Sequence, residues 1–193
     1  MKKFLFNTNA ILIRGNHDDS LMRIYETGYI KRHDFVDGTF NTMQQLGNCD
    51  SDKTETVLAA FRKNNEDLMN FYSKMPYYYL IGDVLFVHSW LPLCDDFTEA
   101  NLEEWHRATL TSLTRLIASI KNGLPVNTYP YTNVKKIVFG HHKADDLKDM
   151  ENYEGEGVYN DLIRTLKTDR ITLYAIDGRV QLTGKIPILI MEV

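Results

Sequence analysis

The spacing of apolar and polar positions changes from segment to segment along the chain. Residues 10–13 (AILI) form an uninterrupted apolar run that ends in the polar cluster Arg14-Gly15-Asn16-His17-Asp18-Asp19. A run so short and so continuous predicts a strand covered on both faces. From Ser20 onward the apolar residues fall at helical spacing, with Asp18 or Asp19 as the N-cap and Gly28 as the stop. A second helical pattern over 52–74 carries Val57, Leu58, Phe61, Leu68 and Phe71; Ser51 or Asp52 caps it and Pro76 halts it. Residues 77–81 and 84–87 then read as two short strands joined by Gly82-Asp83, a hairpin signal. A helical stretch covers about 98–121, and 137–139 is a strand that ends in Gly140-His141-His142. The tail reads as three strands, 171–176, 180–183 and 188–191, the first two linked through Asp177-Gly178. Strands alternating with helices early and running together late predict an α/β fold with a mixed sheet or two sheets.

Composition narrows this picture. The 193 residues are 44% hydrophobic and 25% charged, enough for one sizeable core, so 1–193 reads as a single domain. A formal charge of -4 argues against a nucleic acid or anionic membrane held by bulk electrostatics, so any phosphate site must be local. No run approaches the ~18 apolar residues of a membrane span, and Phe4 to Phe6 is far shorter than the core of a signal peptide. Cys49 and Cys94 stand far apart, which gives idle thiols in a reducing cytoplasm rather than a disulfide or a zinc knuckle.

Three predicted strands, "AILIRGNHD", "VLFVHS" and "KIVFGHH", share one feature: a histidine-bearing polar cluster at the C-terminal end. Open α/β sheets place ligands there. A single strand-terminal histidine is more often structural than a ligand, but three in succession make a pattern. Asn16 offers an amide oxygen, and His88 and His141 offer imidazole nitrogens, a mixed set suited to Mn, Fe or Zn. Gly15 and Gly140 would let the backbone approach an ion or a phosphate.

"LIRGNHD", "LFVHS" followed by "LP", and "IVFGHH" resemble, in order, the G-N-H-[DE], V-H-A-G and G-H blocks of the calcineurin-like metallophosphoesterases, in particular their Ser/Thr phosphoprotein phosphatase branch. The resemblance runs from about residue 10 to the end, where "LYAIDGRV" is similar to the family's strand and Asp-Gly ending. It implies a β-sandwich flanked by helices (αββα). It also implies hydrolysis of phosphomonoesters by in-line attack of a metal-bound hydroxide, on a phosphorylated protein or a nucleoside polyphosphate. Carried over, Asn16, His88 and His141 become metal ligands and His17 the general acid. Arg14 steadies the phosphate or makes a structural ion pair. His142 follows where a threonine is common and either reaches a second metal or, as expected here, faces solvent, and Ser89-Trp90 replaces the usual Ala-Gly.

Two family motifs are absent from these residues. There is no D-x-H, and the single Gly-Asp, at 82–83, is not followed by the aspartate of G-D-x-x-D. The N-terminal strands that carry them are therefore expected to be missing. Without a bridging carboxylate, at most one weakly held divalent ion is expected, and His17 lacks its usual acidic partner. The alternative is a catalytically inactive remnant with a structural or interaction role. An uncovered 10–13 strand would offer an edge for a homodimer. His33 and His106 are expected to be solvated, as is the acidic group Asp145, Asp146, Asp149, Glu151 and Glu154. Tyr77, Tyr78 and Tyr79 are read as strand packing. Loops 28–50 and 122–134 are expected to set substrate choice.

Overall fold

A computed structural model describes residues 10–89, 109–123 and 133–192. They fall into two compact units, divided between Pro76 and Tyr77.

The first unit is helical: α1 (Asn16–Thr27), α2 (Arg32–Val36), α3 (Thr39–Gly47), α4 (Thr54–Asn64) and α5 (Glu66–Tyr72). Its core is Leu21, Ile24, Phe40, Met43, Val57, Phe61, Leu68 and Met69. Every helix except the short α2 supplies at least one of these residues, and at about 1.5–3 kcal/mol per fully buried large apolar side chain they are what holds the helices together. The pattern over 52–74 is two helices rather than one. Asn65, 1% exposed, breaks it. Its backbone leaves helical geometry at φ -133°, and its side-chain amide donates to the Phe61 and Leu46 carbonyls at 2.9 and 3.0 Å, closing the end of α4. The expected loop 28–50 holds α2 and α3, a pair too short for their periodicity to stand out.

Residues 10–13 carry no strand ladder among the described residues; a single backbone bond, Arg14 N–H to the Pro76 carbonyl at 2.8 Å, fixes the chain just before α1. The apolar run made a strand plausible, but a strand also requires a partner, and sequence cannot supply one.

In the second unit, β1 (Tyr78–Ile81) and β2 (Val84–Val87) form the expected hairpin, with Gly82 at φ 57° in the turn. Then come α6 (Leu110–Lys121), β3 (Lys136–Phe139), β4 (Glu151–Asn152), β5 (Gly157–Val158), β6 (Arg164–Lys167), β7 (Thr172–Ala175), α7 (Val180–Thr183) and β8 (Ile188–Leu189). Six strands make one mixed sheet in the order β1-β2-β3-β7-β6-β4, and β5 pairs with β8 in a second, two-stranded sheet. The fold is α/β with a mixed sheet, as the alternation of strands and helices indicated.

The centre of the large sheet is parallel: β2 with β3, and β3 with β7. Register aligns Leu85, Ile137 and Leu173 in one row and Val87, Phe139 and Ala175 in the next. All six belong to a buried cluster that α6 joins through Leu113, Ile117 and Ile120. Val84 and Val138 on the opposite face are also buried, so these strands show the two-sided burial of parallel sheets. Tyr78 packs on the same cluster, in line with its reading as a packing residue.

Residues 180–183 are helix α7, not a strand. The Asp177 carboxylate accepts the Arg179 N–H at 2.9 Å, Arg179 adopts φ 52°, and the Thr183 hydroxyl donates to the Gly178 carbonyl at 2.9 Å. This side-chain-made turn redirects the chain before a strand can extend. Strand β6 was not foreseen because Leu166 is its only inward apolar residue, too little for an alternating signal.

Candidate functional site

The G-N-H-D cluster of the first unit is the start of helix α1. Gly15 is the N-cap, in place of the expected Asp18 or Asp19, and Asn16 and His17 occupy the first turn. Asp18, three residues past the cap, reaches back to accept the Gly15 N–H at 2.8 Å. Arg14 is 8% exposed; its guanidinium donates to the Tyr72 carbonyl at 2.7 Å and lies 3.4 Å from Asp19. These bonds tie the entry of α1 to α5, the structural role expected as one of two for this residue.

The electrostatics of the turn are unusual. Burial pushes the Asp18 carboxyl above the ordinary aspartate range, and the charge of Asp19 adds to the effect against the Gly15 N–H, His17 and Arg14. Burial, and then the charge of Asp18, push the Tyr72 phenol up to about 12. His17 itself is exposed, with its Nδ1 3.2 Å from the hydroxyl of Thr39.

In the second unit, His88 follows β2 and His141 lies two residues past β3. Because β2 and β3 are parallel, Val87 stands beside Phe139, and the Gly140 N–H donates to the His88 carbonyl at 3.0 Å, extending the ladder by one residue. The chain then turns sharply. The His142 N–H donates to the Gly140 carbonyl at 2.8 Å across His141, whose φ is 68°. This is a γ-turn with a left-handed centre, a strained form. It leaves the rings of His88 and His141 with centroids 5.1 Å apart at 60°.

That spacing is ordinary for two aromatic rings in edge-on contact and is also compatible with a shared ion. With a metal–nitrogen bond of about 2.1 Å, two imidazoles sharing one ion at roughly tetrahedral angles have ring centres about 4.5–5.3 Å apart.

The glycine signal at 140 is displaced by one residue. A Cβ there would meet only the His88 carbonyl oxygen at 3.5 Å, an ordinary contact, while the left-handed position is His141. His142 does not simply face solvent: it is half-buried, its ring 4.4 Å from that of His141 at 67°. Asp177 lies two residues past β7, and its carbonyl accepts the Ala144 N–H at 3.1 Å. Ser89 is buried at 1% exposure. Trp90, Cys94 and His106 lie outside the described residues, as does most of the 122–134 loop.

Three residues of the acidic group carry surface ion pairs. Asp145 pairs with Arg164 at 2.6 Å, Asp146 with Arg179 at 2.9 Å and Asp149 with Lys121 at 3.7 Å. These three carboxylates remain 37–48% exposed and Glu151 and Glu154 are exposed, in line with the solvated reading.

A cluster that sequence reading missed is His33, Asp34 and Asp37, whose ligand atoms lie within 4.8 Å of one another. Asp34 is fully buried, and both of its oxygens accept from Arg23, at 2.8 and 2.9 Å, while one also accepts the Lys31 N–H at 2.6 Å. A guanidinium already neutralises this carboxylate, so the trio is a capped ion pair rather than a vacancy for a metal. His33 is exposed, as expected. The cue in sequence was weak: an Arg and an Asp eleven residues apart.

No protein-family model, curated protein or solved structure matches the chain.

Proposed function

We propose that the chain is a metal-dependent phosphoesterase, most like a Ser/Thr protein phosphatase, with His88 and His141 as ion ligands and His17 as proton donor to the leaving group. One observation carries the reading: two histidines at the C-terminal ends of adjacent parallel strands, 5.1 Å apart, one of them in a strained turn. In this reading Asn16 adds an amide oxygen, the ion is Mn, Fe or Zn, and the fold is the helix-flanked sandwich of the metallophosphoesterases. The substrate is a phosphorylated protein or a nucleoside polyphosphate. A bound ion supplies Lewis-acid polarisation of a phosphoryl oxygen. The first turn of α1 adds the positive end of a helix dipole beside His17.

An inactive scaffold of the same descent is the second reading, favoured by one fact: the 193 residues contain neither D-x-H nor G-D-x-x-D. Two imidazoles and an amide leave an ion's charge uncompensated. Elemental analysis after dialysis against Mn is expected to find at most one ion per chain. Two tightly held ions would overturn this expectation, and none would leave only the scaffold reading. Hydrolysis of p-nitrophenyl phosphate with added Mn separates the two: a rate above that of His88→Ala selects the enzyme, and equal rates select the scaffold.

A further inference from the structure

We infer that Thr39 and Asp37 are positioning residues for His17, together fixing which ring nitrogen carries its proton. The inference deepens the proposed function and rests on it for its catalytic meaning, but its geometry belongs wholly to the first unit. His17 Nδ1 lies 3.2 Å from Thr39 Oγ1, and that hydroxyl donates to Asp37 Oδ1 at 2.8 Å. The same Asp37 oxygen accepts the Thr39 N–H at 3.1 Å.

The direction of these bonds follows from the proton inventory. An ionised carboxylate only accepts, and a threonine has one hydroxyl proton to give. If that proton went to His17, Oγ1 and Oδ1 would face each other at 2.8 Å as two bare acceptors. A charge-assisted O–H···O⁻ bond is roughly twice as strong as a neutral one, so the proton points at Asp37. Oγ1 can then only accept from His17, and Nδ1 must carry a hydrogen. Nε2 is left as the nitrogen that takes up a proton and, once protonated, can pass it to a leaving group while Nδ1–H stays anchored.

The supporting turn is built for this. Gly38 has φ 86°, and a Cβ there would meet nothing within 4 Å, so glycine serves the backbone conformation rather than a close approach. Thr39, 2% exposed, begins α3 and contributes to its packed face, which fixes its hydroxyl in place. Asp37 thus acts on His17 as an acidic partner one hydroxyl removed. The relay residues all belong to the first unit, so its tautomer test does not require metal binding.

The test is the tautomer of His17 in the full chain, read from long-range nitrogen–proton NMR correlations of the neutral ring after nitrogen-15 labelling of histidine. Free imidazole in water favours hydrogen on Nε2. The expected wild-type result is the opposite, hydrogen on Nδ1. Thr39→Val, close in shape but unable to accept, should invert the two nitrogen signals, and Thr39→Ser should restore the wild-type pattern. Asp37→Ala should weaken the preference by freeing the hydroxyl to donate. Hydrogen on Nε2 in the wild type overturns the inference, as does a folded Thr39→Val protein with an unchanged spectrum. The wild-type spectrum decides by itself should the valine variant not fold. Failure of the phosphoesterase reading would show instead as absent ion binding with this tautomer intact.

Discussion

Glycine at position 141 is expected to weaken ion binding at least about 10–100-fold, the loss that even an outer-shell partner of a metal causes, while leaving the second unit better folded than alanine does. Both His141→Gly and His141→Ala remove the imidazole. They differ in the backbone: alanine keeps a side chain at φ 68°, across a three-residue turn closed by the His142 N–H, whereas glycine accepts that conformation freely. The glycine variant should therefore be more stable than the alanine variant by about 1 kcal/mol, the lower end of the cost of a left-handed non-glycine residue. Calorimetric titration with Mn reads the first quantity and urea denaturation the second. Equal stabilities would mean that the turn is not strained. Undiminished binding would remove His141 from the ligand set.

Phe61→Ala has the largest expected effect on stability, about 3–5 kcal/mol, the usual range for truncating a buried aromatic ring. Phe61 is fully buried, sits edge-on to Tyr25 at 5.9 Å and joins the cluster that receives Leu21 and Ile24 of α1. Its backbone nitrogen also lies 3.0 Å from where a Cβ on Gly47 would fall, so α3 and α4 meet there with almost no slack. A loss of this size is comparable to the whole stability of many small domains. The variant should lose helical circular dichroism at much lower urea than wild type. A cost under about 1 kcal/mol would show that the cavity collapses without penalty and that the core is centred elsewhere.

How far the sequence was readable follows the length over which each signal acts. The β1–β2 hairpin, β3, β7 and the two helices that share Val57 to Phe71 were legible because apolar spacing and turn residues act within a few positions. The break at Asn65 was not, since that side chain bonds a carbonyl nineteen residues earlier. The missing ladder at 10–13 and the helix at 180–183 were also illegible: one depends on a strand partner, the other on an aspartate side chain that bends the backbone. For the candidate site, the convergence of His88 and His141 was implied by two similar strand ends, yet their adjacency needed the parallel pairing of β2 with β3. The partner of His17 was hidden for the same reason. Thr39 and Asp37 lie twenty-odd residues away, in a stretch that reads as loop.

The phosphoesterase reading requires that His88 and His141 bind the same ion. Pulsed electron paramagnetic resonance on the Mn-loaded protein counts imidazole nitrogens at the metal through their modulation of the spin echo. Two coupled imidazoles are expected for the wild type, and one for each of His88→Ala and His141→Ala. A metal surrounded only by oxygen, or a wild-type spectrum unchanged in both variants, would contradict the account.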